Sequence, residues 1–287
     1  MKAADFIYHR VSNVAEAVRY LEDYDGGARV LAGGQSLAPM LNMRLWRPAA
    51  LIDINGLGEL AGIEVDGEET HIGALVRHVT VEDSPLVAER LPLLAAMVRF
   101  VGDRQVRNRG TIGGSLVQGD PTGEMPLGCL VLGARLNAVG PAGLRTIDME
   151  TFYEGAYAAT LKPDELLTEI LFFKHPPHHA FHEFCRRHND FAVLSVAATG
   201  TVSGDGSWHG VRIGLGGVHD TPVLAQDSMT LLEGSRLSDA DISAAGKAAL
   251  DAIDPPSDVR ASAQYRAHLV PRYIARALRD LRASAAA

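Results

Sequence analysis

The chain has 287 residues, 47% of them hydrophobic and 22% charged, a globular composition with room for about two domains. Lys and Arg number 27 against 35 Asp and Glu, giving a net charge of −8 with no local basic run to offset it. A nucleic-acid backbone or an anionic bilayer would repel such a chain, so neither is expected as a partner. No stretch approaches about 18 consecutive apolar residues, so no membrane span is expected. Met1 to Phe6 lacks the apolar core of a secretory signal, which makes the cytoplasm the expected location. Two cysteines, Cys129 and Cys185, can neither ligate a four-thiolate cluster nor build a disulfide framework.

In chain order, Val14, Ala17, Val18 and Leu21 recur at helical spacing behind Asn13, a capping residue. Val30 to Ala32 reads as a strand running into Gly33 and Gly34, and Leu51 to Ile54 and His71 to Val76 read as two more. Thr80 with Asp83 is expected to cap the next turn, followed by a helix carrying Leu91, Leu94, Ala95 and Val98 and ending near Gly102. A second glycine turn, Thr111 to Ser115, precedes an apolar helix with Pro126 in its first turn. Arg135–Val139 and Leu144–Ile147 flank a Gly-Pro-Ala-Gly turn and predict a hairpin, and residues 165–173 predict a further strand. Lys174 to His179 is polar and Pro-rich, the composition of an exposed boundary. Beyond it, residues 191–202 and 211–217 read as strands, and the Ala-rich end reads as amphipathic helix with Ser238 and Asp241 as a capping pair. This pattern predicts an α+β N-terminal part to about 175 and a smaller α+β C-terminal part.

The glycine pairs carry most of the chemistry. In Ala32-Gly33-Gly34-Gln35-Ser36-Leu37 the pair follows a strand and precedes a helix. Glycine permits a positive φ and lets a ligand approach the backbone, and successive N–H groups there form an anion nest. Thr111-Ile112-Gly113-Gly114-Ser115 repeats the pattern, so two nests are expected, enough to clamp the two phosphates of a dinucleotide without a lysine. Either pair alone reads more readily as a plain tight turn, since glycine is the default turn residue, and it is the repeat of the pattern that points toward a nest. Neither matches GxGxxG, and no GxxxxGK[ST] occurs, so a Rossmann nicotinamide site and a P-loop are unsupported.

Several further motifs point less far. His175, His178, His179 and His182 crowd the boundary, where a solvated linker is the expected reading and no metal site is assigned. Residues 182–186 begin like HExxH, but Arg186 replaces the second histidine. Cys129 lies among leucines and is expected in a core. Arg104, Arg107 and Arg109 are expected on an exposed turn or against an acidic partner.

Taken in order, Phe6–Arg10, Leu31–Met40, Leu51–Ile54, Arg107–Ser115, Asp120-Pro121 and Glu165–Leu167 resemble the FAD-binding medium subunit of molybdenum hydroxylases, the xanthine dehydrogenase and CO dehydrogenase family. Asp190–Ala192, Leu215–Gly217 and Thr221–Val223 extend the resemblance over almost the whole chain. It implies a two-part FAD-binding domain of the PCMH type over 1–175 (subdomains about 1–55 and 56–175) and a C-terminal domain of the CO dehydrogenase flavoprotein type over 176–287. It further implies that residues 32–37 and 111–115 hold the FAD pyrophosphate, that Glu124 bonds ribityl or adenosine hydroxyls, and that Leu167 walls the flavin pocket. Asp190 and Phe191 are implied near the flavin ring. The implied partners are a large molybdenum-cofactor subunit and a small subunit with [2Fe–2S] clusters, arranged as a dimer of heterotrimers. The implied function is electron transfer from those clusters through FAD to a terminal acceptor, with no catalytic side chain in this chain. A stand-alone FAD oxidoreductase, or a flavin-binding module without turnover, is the alternative.

Overall fold

The computed structural model describes residues 2–285 apart from 174, 176 and 188. Its first unit is a small parallel sheet covered by helices. Strands β1 (Ile7–Arg10), β2 (Ala28–Leu31) and β3 (Ala50–Asp53) lie in the order β1-β3-β2, with helix α1 (Val14–Asp23) and helix α2 (Leu37–Asn42) as the connections. The Asn13 side chain accepts from the Glu16 N–H at 2.8 Å and starts α1, whose Ala17, Val18 and Leu21 pack on Ala50 and Ile52. All four residues of β3 are buried, as a central strand requires.

The second unit is an antiparallel sheet on a helical layer. After β4 (Ile63–Asp66) and β5 (Glu69–Gly73) come α3 (His78–Asp83), α4 (Pro85–Arg90), α5 (Pro92–Met97), α6 (Arg104–Arg109), α7 (Ile112–Gln118) and α8 (Glu124–Val131). The hairpin β6 (Arg135–Gly140) and β7 (Gly143–Asp148) follows, then the short pair β8 (Tyr153–Gly155) and β9 (Ala158–Ala159), then β10 (Leu166–Phe173). The sheet order is β4-β5-β10-β6-β7. Within β10, Leu166 joins the core of the first unit and Leu167 that of the second, so one strand ties the two together.

The third unit is a sheet with strands β11 (His179–Phe184), β12 (Leu194–Val202), β13 (Trp208–Gly216) and β14 (Val223–Leu224) in sequential order. Helices α9 (Gln226–Leu232), α10 (Asp239–Ala248) and α11 (Ala263–Ser284) cover it, burying Leu269, Val270, Ile274 and Leu278. The capping box of Ser238 and Asp241 forms as predicted. Helix α8 packs against β13, where Arg212 Nε donates to the Val131 carbonyl at 2.8 Å and Nη2 to Leu130 at 3.1 Å. A guanidinium from the third unit thus satisfies the open carbonyls at the end of an N-terminal helix.

Local expectations fail at identifiable points. Thr80 and Asp83 cap nothing: both lie within α3, and Ser84 caps the following helix. The strand expected to reach Val76 stops at Gly73, because the N–H of Ala74 turns to Thr168 and that of Val76 to Gly73. The helix through Leu91 breaks there, since Pro92 starts a new one. The histidine-rich boundary is not a linker throughout: His179 to Phe184 is β11, paired along its length with β12, while Lys174 and Pro176 lie outside the described residues. The histidines of that stretch bond individually, His182 to Asp280 at 2.7 Å and His178 to Ser284 at 3.2 Å. The arginine strip is largely spent on carboxylates. Arg104 pairs with Glu82 and Asp83, and Arg107 is buried against Glu82 at 2.8 Å. Cys129 is buried in the core, which pushes its thiol pKa up.

Candidate site at the two glycine segments

The two glycine segments lie 79 residues apart in sequence, counted from Gly34 to Gly113, and meet in space. A Cβ on Gly33 would collide with the Arg109 carbonyl and come within 2.8 Å of Gly110 Cα, so only glycine permits this approach. Helices α2 and α7 leave the junction together, Gln118 Nε2 lying 3.7 Å from Met40 Sδ further along.

The two segments differ in what they offer a ligand. Gly34 has φ +72°, which breaks the strand direction and turns the following amides outward. The backbone N–H groups of Gly33 to Leu37 donate to no partner among the described residues, and Gln35 and Ser36 are exposed. Backbone donors without partners, in an accessible positive-φ turn, are what an anion nest consists of.

The segment Thr111–Ser115 is already closed. The N–H of Ile112 donates to Val76 at 3.0 Å and that of Gly113 to Ala74 at 3.0 Å. The N–H of Gly114 donates to Thr111 Oγ1 at 3.1 Å, and that of Ser115 to the Thr111 carbonyl at 3.0 Å. Gly113 and Gly114 are helical residues of α7, not a positive-φ turn. The second nest expected from the sequence is therefore not an open one. Thr111, Ile112 and Gly113 are buried, and a Cβ on Gly113 would lie 2.7 Å from the Ala74 carbonyl, so this glycine serves close packing. The groups left facing outward are the bare Gly114 and the half-buried Ser115 hydroxyl.

Residues that no motif indicated lock the two segments together. Asn55 Nδ2 donates to the Ala32 carbonyl at 2.8 Å and to Leu31 at 3.2 Å. Its Oδ1 accepts from Arg77 Nη2 at 2.6 Å, and Arg77 Nη1 donates to the Arg109 carbonyl. Asp53 holds Asn55 from below, accepting from its backbone N–H at 2.9 Å. Next to Arg77, His78 is buried and its Nε2 lies 3.1 Å from Ser115 Oγ. The only sequence signal for this set is a polar Arg77-His78 pair interrupting an apolar run.

Glu124 is the first residue of α8. Burial, then the charges of Glu183 and Asp120, push its carboxyl up to about 8, so it is largely protonated at neutral pH. Glu183 comes from β11, and the Gly217 N–H donates to Pro121 at 2.9 Å, so this acidic cluster lies where the N-terminal part meets the third unit. Beyond it Phe191 is exposed with the Arg260 guanidinium 4.7 Å from its ring centre, and Arg187 donates to Asp190 at 3.2 Å. Leu167 does not wall this side: it is 3% exposed, enclosed in the core of the second unit.

The frame is a two-domain α+β fold with a positive-φ glycine turn whose backbone amides have no partner among the described residues. Residues 3–172 match the family model "FAD binding domain in molybdopterin dehydrogenase", and residues 179–281 match "CO dehydrogenase flavoprotein C-terminal domain". The chain belongs to this family, the FAD-binding flavoprotein subunits of molybdopterin-dependent dehydrogenases. It is 37% identical to the 6-hydroxypseudooxynicotine dehydrogenase complex subunit alpha of Paenarthrobacter nicotinovorans, over 97% of this chain and 95% of that one. It is 34% identical to the carbon monoxide dehydrogenase medium chain of Afipia carboxidovorans, over 99% of both. A solved carbon monoxide dehydrogenase chain from Hydrogenophaga pseudoflava superposes with a TM-score of 0.96 at 34% identity, again over 99% of both chains. The expected α+β, two-domain fold is thereby established. Among the described residues no helix is long and apolar enough to cross a membrane.

Proposed function

We propose that the Gly33–Leu37 loop holds the FAD pyrophosphate on its open N–H groups, with the Ser115 hydroxyl as a further donor and Glu124 bonding a sugar hydroxyl of the same ligand. Bound FAD supplies the electron relay of the assembly, between the [2Fe–2S] clusters of a small partner subunit and a terminal acceptor, while a large partner subunit carries the molybdenum cofactor. This chain's own residues bind and orient. Gly34 aims the amides, Gly33 admits the second segment, and Asn55 and Arg77 keep the two in register. Protonated Glu124 can donate a hydrogen bond as well as accept one, which suits a ligand hydroxyl. Thr111, Ile112 and Gly113 support the site from within the fold. A dimer of heterotrimers and a cytoplasmic location complete the proposal; two unpaired cysteines accord with a reducing compartment.

The observation that carries this reading is the run of unpartnered amides behind a positive-φ glycine. The test of the relay is anaerobic absorbance of the FAD-loaded chain mixed with the organic substrate of its complex. The lone chain should leave the flavin oxidised, and adding the two partner subunits should bleach it. Bleaching by the lone chain at the rate of the complex would overturn the relay and favour a self-sufficient flavin oxidoreductase.

A further inference from the structure

The second glycine segment has spent its amides internally, so what it can give a ligand depends on one hydroxyl, that of Ser115. A hydroxyl is donor and acceptor, and which it presents outward depends on its inner partner. That partner is His78 Nε2 at 3.1 Å, the one hydrogen-bond partner of Ser115 Oγ among the described residues.

His78 is 2% exposed. Burial, then the charges of Arg107 and Arg77, lower its pKa to about 4 against an opposing backbone hydrogen bond to Thr111, so the ring is neutral at neutral pH and carries a single N–H. Nδ1 meets no partner among the described residues, and the Gly110 backbone packs against it so closely that a Cβ there would lie 2.8 Å away. A proton on Nδ1 would be a buried donor without an acceptor, the rarer and costlier kind of orphan. A proton on Nε2 finds Ser115 Oγ and leaves only an unfilled lone pair at Nδ1. The ring then donates, the serine oxygen accepts, and the hydroxyl hydrogen turns outward past Gly114, where no side chain intervenes.

We propose that His78 is a positioning residue: by donating from Nε2 to Ser115 Oγ it commits the Ser115 hydroxyl to donate to the FAD pyrophosphate. With the opposite tautomer the serine would donate inward and present a lone pair to an anion. The inference rests on the pyrophosphate reading above and assigns no redox role to His78.

The test is a double-mutant cycle of FAD affinity on the full chain, with apo-protein melting as the check on folding, and imidazole ¹⁵N shifts of the wild type. Ser115→Ala and His78→Leu should each weaken FAD by about tenfold, and the double variant by no more than either alone. His78→Gln, whose amide nitrogen can replace Nε2–H, should stay within about threefold of wild type. The ¹⁵N shifts should report the Nε2–H form. A Ser115→Ala variant with unchanged FAD affinity would overturn the placement of the pyrophosphate at Ser115 itself. A Ser115→Ala loss with His78→Leu adding its full effect on top would overturn only the role of His78. Should the His78 variants fail to fold, an Nδ1–H tautomer in the wild type overturns the inference and an Nε2–H tautomer supports it.

Discussion

Two glycine pairs, each followed within two residues by serine, do different physical jobs in this molecule. At Gly33-Gly34 glycine opens the backbone: one residue takes φ +72° and the neighbouring amides have no partner among the described residues. At Gly113-Gly114 glycine closes it: the residues are helical, their amides are satisfied, and the missing Cβ admits Ala74. Identical letters therefore do not make identical sites. What separates them is where the N–H groups point, which is set by carbonyls from a distant strand end.

The largest break in this comparison is Gly34→Asp. It places a carboxylate before the open amides and an L-residue at positive φ, so FAD affinity should fall by roughly 100-fold or more, read by titrating apo protein with FAD. Gly204→Asp, at an exposed turn where an added Cβ meets nothing, is the control and should bind FAD normally. Unchanged affinity in the Gly34 variant would remove the nest from the site.

Gly113→Ala probes the closed side. Its Cβ would overpack against Ala74, so the apo protein should lose about 1–3 kcal/mol of stability by denaturant titration, while the folded fraction still binds FAD. A variant of wild-type stability with poor FAD binding would mean that Gly113 faces the ligand after all.

The smallest effect sharpens the cluster at Glu124. Its carboxyl is raised to about 8 in the folded chain and has an ordinary value of 4.5, so between those values the folded state binds more protons. That contribution to stability is complete below 4.5 and is lost as pH rises through about 8. The apo Tm should fall over that window, and Glu124→Gln, which cannot ionise, should flatten the decline by a few degrees. An unaltered pH profile in the variant would place Glu124 in contact with water.

Much of this was legible in the residues. Asn13 and the Ser238–Asp241 pair announce their helices because capping is local, and β6, β7 and β10 follow from apolar runs bounded by turn residues. The open turn at Gly33-Gly34 was legible too, since strand, glycine pair and helix are consecutive. The closed state of the second segment was not, because its amides are taken by Ala74 and Val76, nearly 40 residues earlier. Asn55, Arg77 and His78 escaped for the same reason: each acts on a segment brought near only by the tertiary fold. Leu167 fits an apolar wall by pattern, but the register shift in β10 between Leu167 and Glu169 turns it into the core that holds Ile170 and Phe172. Strand β11 was hidden by polar residues that its partner β12 tolerates, since His179, Phe181 and His182 are only half-buried.

Amide hydrogen exchange, with and without FAD, reads the contrast between the two segments directly. Residues 33–37 should exchange fast in the apo chain and slow at least about tenfold on adding FAD, while 112–115 should be slow in both states. The opposite pattern, with 33–37 already protected without FAD or 112–115 protected only by it, would contradict the assignment of an open and a closed segment.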